Sequence, residues 1–155
     1  MTVHDNRNLN SSKERLRLWL RLLRTTRLVE AELRERLRLQ FNTTLPRFDV
    51  LAALSRHPDG LKMNELSQQL KVSNGNVTGI ITRLVEDAWV SRIAIADDRR
   101  ATRVKLTQEG QARFADMAAA HEGWVDELFH ELPTDVVHNL NDLLSHIPTD
   151  AGEHG

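Results

Sequence analysis

Apolar positions recur at helical spacing from Ser11 to Phe41. Leu16, Trp19, Leu20 and Leu23 form one stripe, continued by Leu33 and Leu37, while Leu18, Leu22 and Val29 lie on another face. No Gly or Pro interrupts the stretch. Ser11 or Ser12 can cap it, with Glu14 at capping-box spacing from Ser11. The pattern predicts a helix over residues 12–41, about 30 residues and some 45 Å long. Two apolar stripes on so long a helix predict packing on its own domain and on a partner subunit.

Asn42 to Leu45 is a break, and Pro46 suits the first turn of a second helix carrying Phe48, Val50, Leu51 and Leu54. His57-Pro58-Asp59-Gly60 ends it. Lys62 to Leu70 reads as a short helix. Lys71-Val72 is a tight connection, and Ser73 caps a third helix with Val77, Ile80, Ile81, Leu84 and Val85 inward. Two short helices joined by so tight a turn make a helix-turn-helix. Trp89–Ile95 and Thr102–Leu106 then alternate as strands around the charged turn 96–100. A hairpin placed there makes a winged helix. Thr107 caps the next helix, which runs to about Phe129 or Leu132 before Pro133. Thr134 or Asp135 caps a last helix with Val136, Val137, Leu140, Leu143, Leu144 and Ile147 inward. The expected fold is mainly α with a small β-hairpin. One unit holds a winged helix-turn-helix over 46–106, between helical segments 12–41 and 107–147.

Composition narrows the chemistry. The 155 residues fit one domain, and the absence of cysteine excludes disulfides, thiolate zinc sites, iron–sulfur clusters and thiol sensing. Met1 to Ser12 has no apolar core for a secretory signal, and no apolar run suits a membrane helix, so a cytoplasmic protein is expected. The net charge of −1 conceals an asymmetry: +6 over residues 1–48, +2 over 49–106 and −9 over 107–155. A polyanion would meet the first two thirds of the chain.

The second helix of a helix-turn-helix enters the major groove with its N-terminal residues on base edges. Those are Ser73, Asn74, Gly75, Asn76 and Thr78, with Thr82 and Arg83 one turn on. Asn pairs with adenine, Thr meets a thymine methyl, and Arg reads guanine or holds phosphate. Gly75 and Gly79 weaken the helix but permit close approach. Arg99 and Arg100 at the hairpin tip suit a narrow minor groove, with Asp97 and Asp98 orienting or balancing them. Some first-helix arginines sit beside Glu30, Glu32 and Glu35, where surface pairs are expected, and a subset facing a carboxylate or phosphate ligand is the sharper reading.

Pro46 to Gly110 resembles the MarR family of bacterial regulators. The resemblance rests on Met63-Asn64-Glu65-Leu66-Ser67, Val72-Ser73-Asn74-Gly75-Asn76-Val77-Thr78, Trp89-Val90-Ser91-Arg92, Asp98-Arg99-Arg100 and Val104 to Gly110. With the flanking helices it covers residues 12–147. It implies a two-fold dimer built from the first and last helices, bound to a pseudo-palindromic double-stranded operator. It also implies repression relieved by an aromatic acid or similar effector. By motif position Arg100 is the arginine that enters the minor groove, Asp98 the acid that steadies it, and 73–83 the recognition helix. Position 79 departs, being Gly where relatives often carry Arg. Trp19-Leu20-Arg21, Thr43 to Phe48, Gly75 to Gly79 and His121-Glu122-x-Trp124 resemble a branch that controls aromatic-acid catabolism, some members of which respond to aromatic acyl-CoA thioesters. Trp19, Arg34, Arg38, His121 and Trp124 are therefore the candidate effector residues.

No phosphate loop, nucleophile elbow or paired carboxylates indicate an enzyme. No cofactor or metal is expected, because His130, His138 and His146 repeat every eight residues, off helical register. The competing readings are an architectural or protein-binding winged helix without an effector, and a metal-responsive regulator.

Overall fold

The computed structural model describes residues 3–70, 74–96 and 98–148, with side chains for 10–70, 76–96 and 102–148. The chain runs α1 (Val3–Phe41), α2 (Leu45–Ser55), β1 (Leu61–Lys62), α3 (Met63–Leu70), α4 (Asn74–Glu86), β2 (Val90–Ile95), β3 (Asp98–Leu106), α5 (Gln108–Leu128) and α6 (Thr134–Leu144). The helical majority and the small antiparallel sheet match the expected class.

Helix α1 starts well before Ser11 and Ser12, which lie inside it rather than at its cap. Asn6, Asn8 and Asn10 upstream each cost less than about 0.7 kcal/mol in helix propensity, and extending an existing helix tolerates that. Asn42 in the left-handed region (φ 49) ends it. Thr44 then caps α2, its hydroxyl accepting from Arg47 N at 3.3 Å, with Pro46 in the first turn. Glu65 Oε2 accepts from Lys62 N at 3.1 Å, half of a capping box at the start of α3. The expected cap at Ser73 lies outside the described residues. Helix α6 begins after Pro133 without a side-chain cap, so neither Thr134 nor Asp135 fills that role.

The sheet has the order β1-β3-β2, all antiparallel. The hairpin expected from alternation is present, with β3 starting four residues earlier than predicted. Strand β1 was not expected; two residues are too short to show an alternation. Gly60 (φ 87) makes its entry possible, since a Cβ there would lie 2.7 Å from the Val104 carbonyl.

One core joins the elements. Leu33 and Leu37 of α1 meet Phe48, Leu51 and Leu54 of α2, Leu66 of α3, Val77, Ile81 and Leu84 of α4, Val90 and Val104 of the sheet, and Met117 and Trp124 of α5. The rest of α1 is different: Leu16, Leu18, Trp19 and Leu20 are all half exposed. Helix α6 buries nothing, so the residues expected to point inward do not reach the core of this chain. No described element of the same chain covers either face.

Candidate nucleic-acid interface

Helix α4 is two-faced. Val77, Ile81 and Leu84 are fully buried, which turns Asn76, Thr78, Gly79 and Arg83 outward and leaves Thr82 half-buried at the edge. Asn74 and Gly75 form its first turn. A Cβ built at Gly79 would meet nothing within 4 Å, so no intramolecular packing requires glycine there.

The far end of α4 is clamped. Arg47 of α2 pairs with Asp87, and its guanidinium lies 5.2 Å from the centre of the Trp89 ring. Arg113 of α5 approaches the same ring at 5.8 Å. The motif Leu106-Thr107-x-x-Gly110 completes the clamp. Thr107 accepts from Gly110 N at 3.0 Å to cap α5, and its hydroxyl donates to the Ala88 carbonyl at 2.6 Å. Gly110 packs on the Trp89 carbonyl, which a Cβ would approach to 1.9 Å. These contacts fix the recognition-type helix against α2, α5 and the root of the wing.

The wing follows from the β2–β3 register, with Val90 opposite Leu106 and Arg92 opposite Val104. Asp98, Arg99 and Arg100 begin β3 at the hairpin tip; their side chains, and Ser73, lie outside what is described. Sequence reading missed Arg92. Its guanidinium donates to Thr82 Oγ1 at 3.1 Å, joining wing root to helix. Its only sequence signal was a basic residue within the alternating strand.

The candidate effector residues do not converge in one chain. Trp19 is 55% exposed and lies about 27 Å along α1 from the buried Leu37. Arg34 is exposed, and Arg38 pairs with Glu35 at 2.7 Å. Trp124 is buried, 6.2 Å from the Phe41 ring. His121 stacks on Phe48 at 4.6 Å. Burial lowers the His121 pKa, with Asp49 opposing. Burial raises that of Asp49, helped by Glu30 and opposed by His121. A cavity of about 310 Å³ between the end of α1, Trp89, Arg113 and Met117 includes none of the five. Among the described residues no cluster could hold a metal ion, and no helix is long and apolar enough to cross a membrane.

A sequence profile of the MarR family matches residues 41–101. A MarR family transcriptional regulator from Silicibacter pomeroyi superposes with a TM-score of 0.73 at 34% identity, covering 87% of this chain and 93% of that one. The chain belongs to the MarR family. Its architecture is accordingly a winged helix-turn-helix, and it is a DNA-binding transcriptional regulator. A mutant MarR from E. coli, complexed with operator DNA, has a TM-score of 0.73 at 28% identity over 85% of this chain and 94% of its own. The transcriptional activatory protein BadR of Rhodopseudomonas palustris is 32% identical over 77% of this chain and 65% of its own length. Against the first three relatives matched by sequence, this MarR-family chain spans 46%, 71% and 65% of their length.

Proposed function

We propose that this MarR-family chain works as a cytoplasmic homodimeric repressor, released from a pseudo-palindromic operator by an aromatic acid or its CoA thioester. The observation that carries the dimer is the pair of uncovered apolar faces on α1 and α6, at the two ends of the chain. The segments of chain that carry them are oppositely charged, +6 over residues 1–48 and −9 over 107–155. A second copy covering both would remove large apolar area from water at about 25 cal/mol per Å². In this reading Ser73, Asn74, Gly75, Asn76, Thr78 and Arg83 meet the major groove. Arg99 and Arg100, with Asp98, serve the minor groove.

The effector half of the reading draws on the same dimer. Trp19 is too far along α1 to meet His121 and Trp124 of its own chain, whereas a partner's α1 can bring its Trp19 to them. Arg34 and Arg38 supply cations for a carboxylate or phosphate. The reading assigns no catalytic role, cofactor or metal.

The test is fluorescence anisotropy of a labelled duplex with added benzoate-type acids and their CoA thioesters at fixed salt. Release by either class supports the effector reading. Retention of DNA under every addition removes it and leaves a regulator without such an effector. Activation is the second reading, favoured by similarity to a protein named as an activatory protein. Deleting the gene separates them: target transcripts rise under repression and fall under activation.

A further inference from the structure

Thr82 lies on α4 one turn beyond Gly79, where sequence reading made it a base-contacting residue. Its hydroxyl is already engaged. The hydroxyl hydrogen goes to the Thr78 carbonyl at 2.9 Å, and the oxygen accepts from Arg92 Nη2 at 3.1 Å. Thr82 therefore has no donor left for a base edge. Arg92 is the opposite case. Its cross-strand partner Val104 is fully buried, so its side chain leaves β2 on the face that packs toward the core. Its guanidinium emerges at the edge of α4, exposed. Thr82 is its one hydrogen-bond partner, and it has no ion pair, among the described residues. Four of its five N–H donors thus have no partner among the described residues and can serve something outside the chain.

The place defines the ligand. Arg92 sits between the recognition helix and the root of the wing. If α4 occupies a major groove and the wing tip the adjacent minor groove, the strand of sugar-phosphate between those grooves runs past Arg92. Gly79 lowers the surface of α4 one turn away and lets the duplex come close. We propose that Arg92 is a phosphate-contacting residue that sets the register of the protein on DNA, and that Thr82 is its positioning residue. The proposal rests on reading α4 as the recognition helix.

The test uses the full chain and a duplex of roughly 30 base pairs, room for two half-sites one helical turn apart, selected by the wild-type protein from a random library. A scrambled duplex is the control. A phosphate contact predicts that Arg92→Ala weakens selected and scrambled DNA alike, by about tenfold, and reduces the slope of log affinity against log salt by about 1. Arg92→Lys keeps the charge and most of that slope. Thr82→Val, which preserves shape, weakens binding in the wild-type background and has no effect in Arg92→Ala, as coupled residues should. Unchanged affinity and slope in Arg92→Ala overturns the contact. Additive losses from Thr82→Val and Arg92→Ala overturn the positioning. A wild type that binds both duplexes equally overturns the recognition-helix reading, while the salt slope still judges Arg92.

Discussion

Gly79 carries a cost that the fold does not require. A mid-helix glycine is about 1 kcal/mol less favourable than alanine, yet a Cβ here meets open space. Gly79→Ala should raise the melting temperature by a few degrees, as expected for about 1 kcal/mol in a domain of this size. The same change should weaken DNA binding, because the methyl group faces the duplex. A stabilised variant with unchanged affinity would leave the glycine without a role at DNA. Gly110 is the contrary case. Its Cβ would overlap the Trp89 carbonyl, so Gly110→Ala should destabilise by at least about 2 kcal/mol in urea titration. Sequence alone reads Gly79 as a helix weakness and Gly110 only as the end of the Val104 to Gly110 motif, since neither glycine reveals its neighbours across the fold.

Titration also belongs to this scale. The folded-state pKa of His121 is lowered, so its neutral form stabilises above the unfolded value and that contribution is lost as pH falls toward the folded one. Asp49 has a raised pKa, so its contribution is greatest when protonated and is lost as pH rises through the carboxylate range. Asp49→Asn should accordingly stabilise the protein at neutral pH, with the advantage vanishing toward acid. Denaturant midpoints at about pH 3 and pH 7, values that bracket ordinary carboxylate titration, check it. A uniform offset at both would contradict the sign.

At the scale of elements, the sequence was informative wherever a period repeats several times. Val77, Ile81 and Leu84 declare α4, and the alternation from Val90 declares β2. Strand β1 is invisible because two residues hold no period. The start of α1 was misplaced because Ser11 and Ser12 can cap a helix but need not. The apolar set of α6 was recognised, but periodicity states that a face is apolar without saying which chain covers it. The Arg92–Thr82 bond joins residues ten apart on different elements, beyond any local pattern. The clamp on α4 is similarly long-range. Asp87→Asn removes the carboxylate charge facing Arg47, and Arg47 Nε is already buried without a partner. That substitution should lower affinity for DNA more than it lowers stability, since Asp87 is half exposed and the pair's main effect is to hold α4 in place. Equal effects on folding and binding would show the pair to be purely structural.

At the scale of the whole molecule, the chain is a packed winged helix carrying two uncovered apolar arms. Of the five candidate effector residues only Trp19 lies on an arm, and in the proposed dimer it is the partner's copy that would have to meet His121 and Trp124. Leu143→Glu, at the most exposed apolar position of α6, should convert a dimer into a monomer, read by light scattering during gel filtration. A wild type that is already monomeric would contradict the dimer.

The central claim is that α4 reads base sequence. Its most direct test is the affinity of the wild type and of Asn76→Ala for the selected and scrambled duplexes at one salt concentration. The account predicts that the wild type prefers the selected duplex and that Asn76→Ala loses the preference while keeping its binding to scrambled DNA. Equal weakening on both duplexes would contradict it.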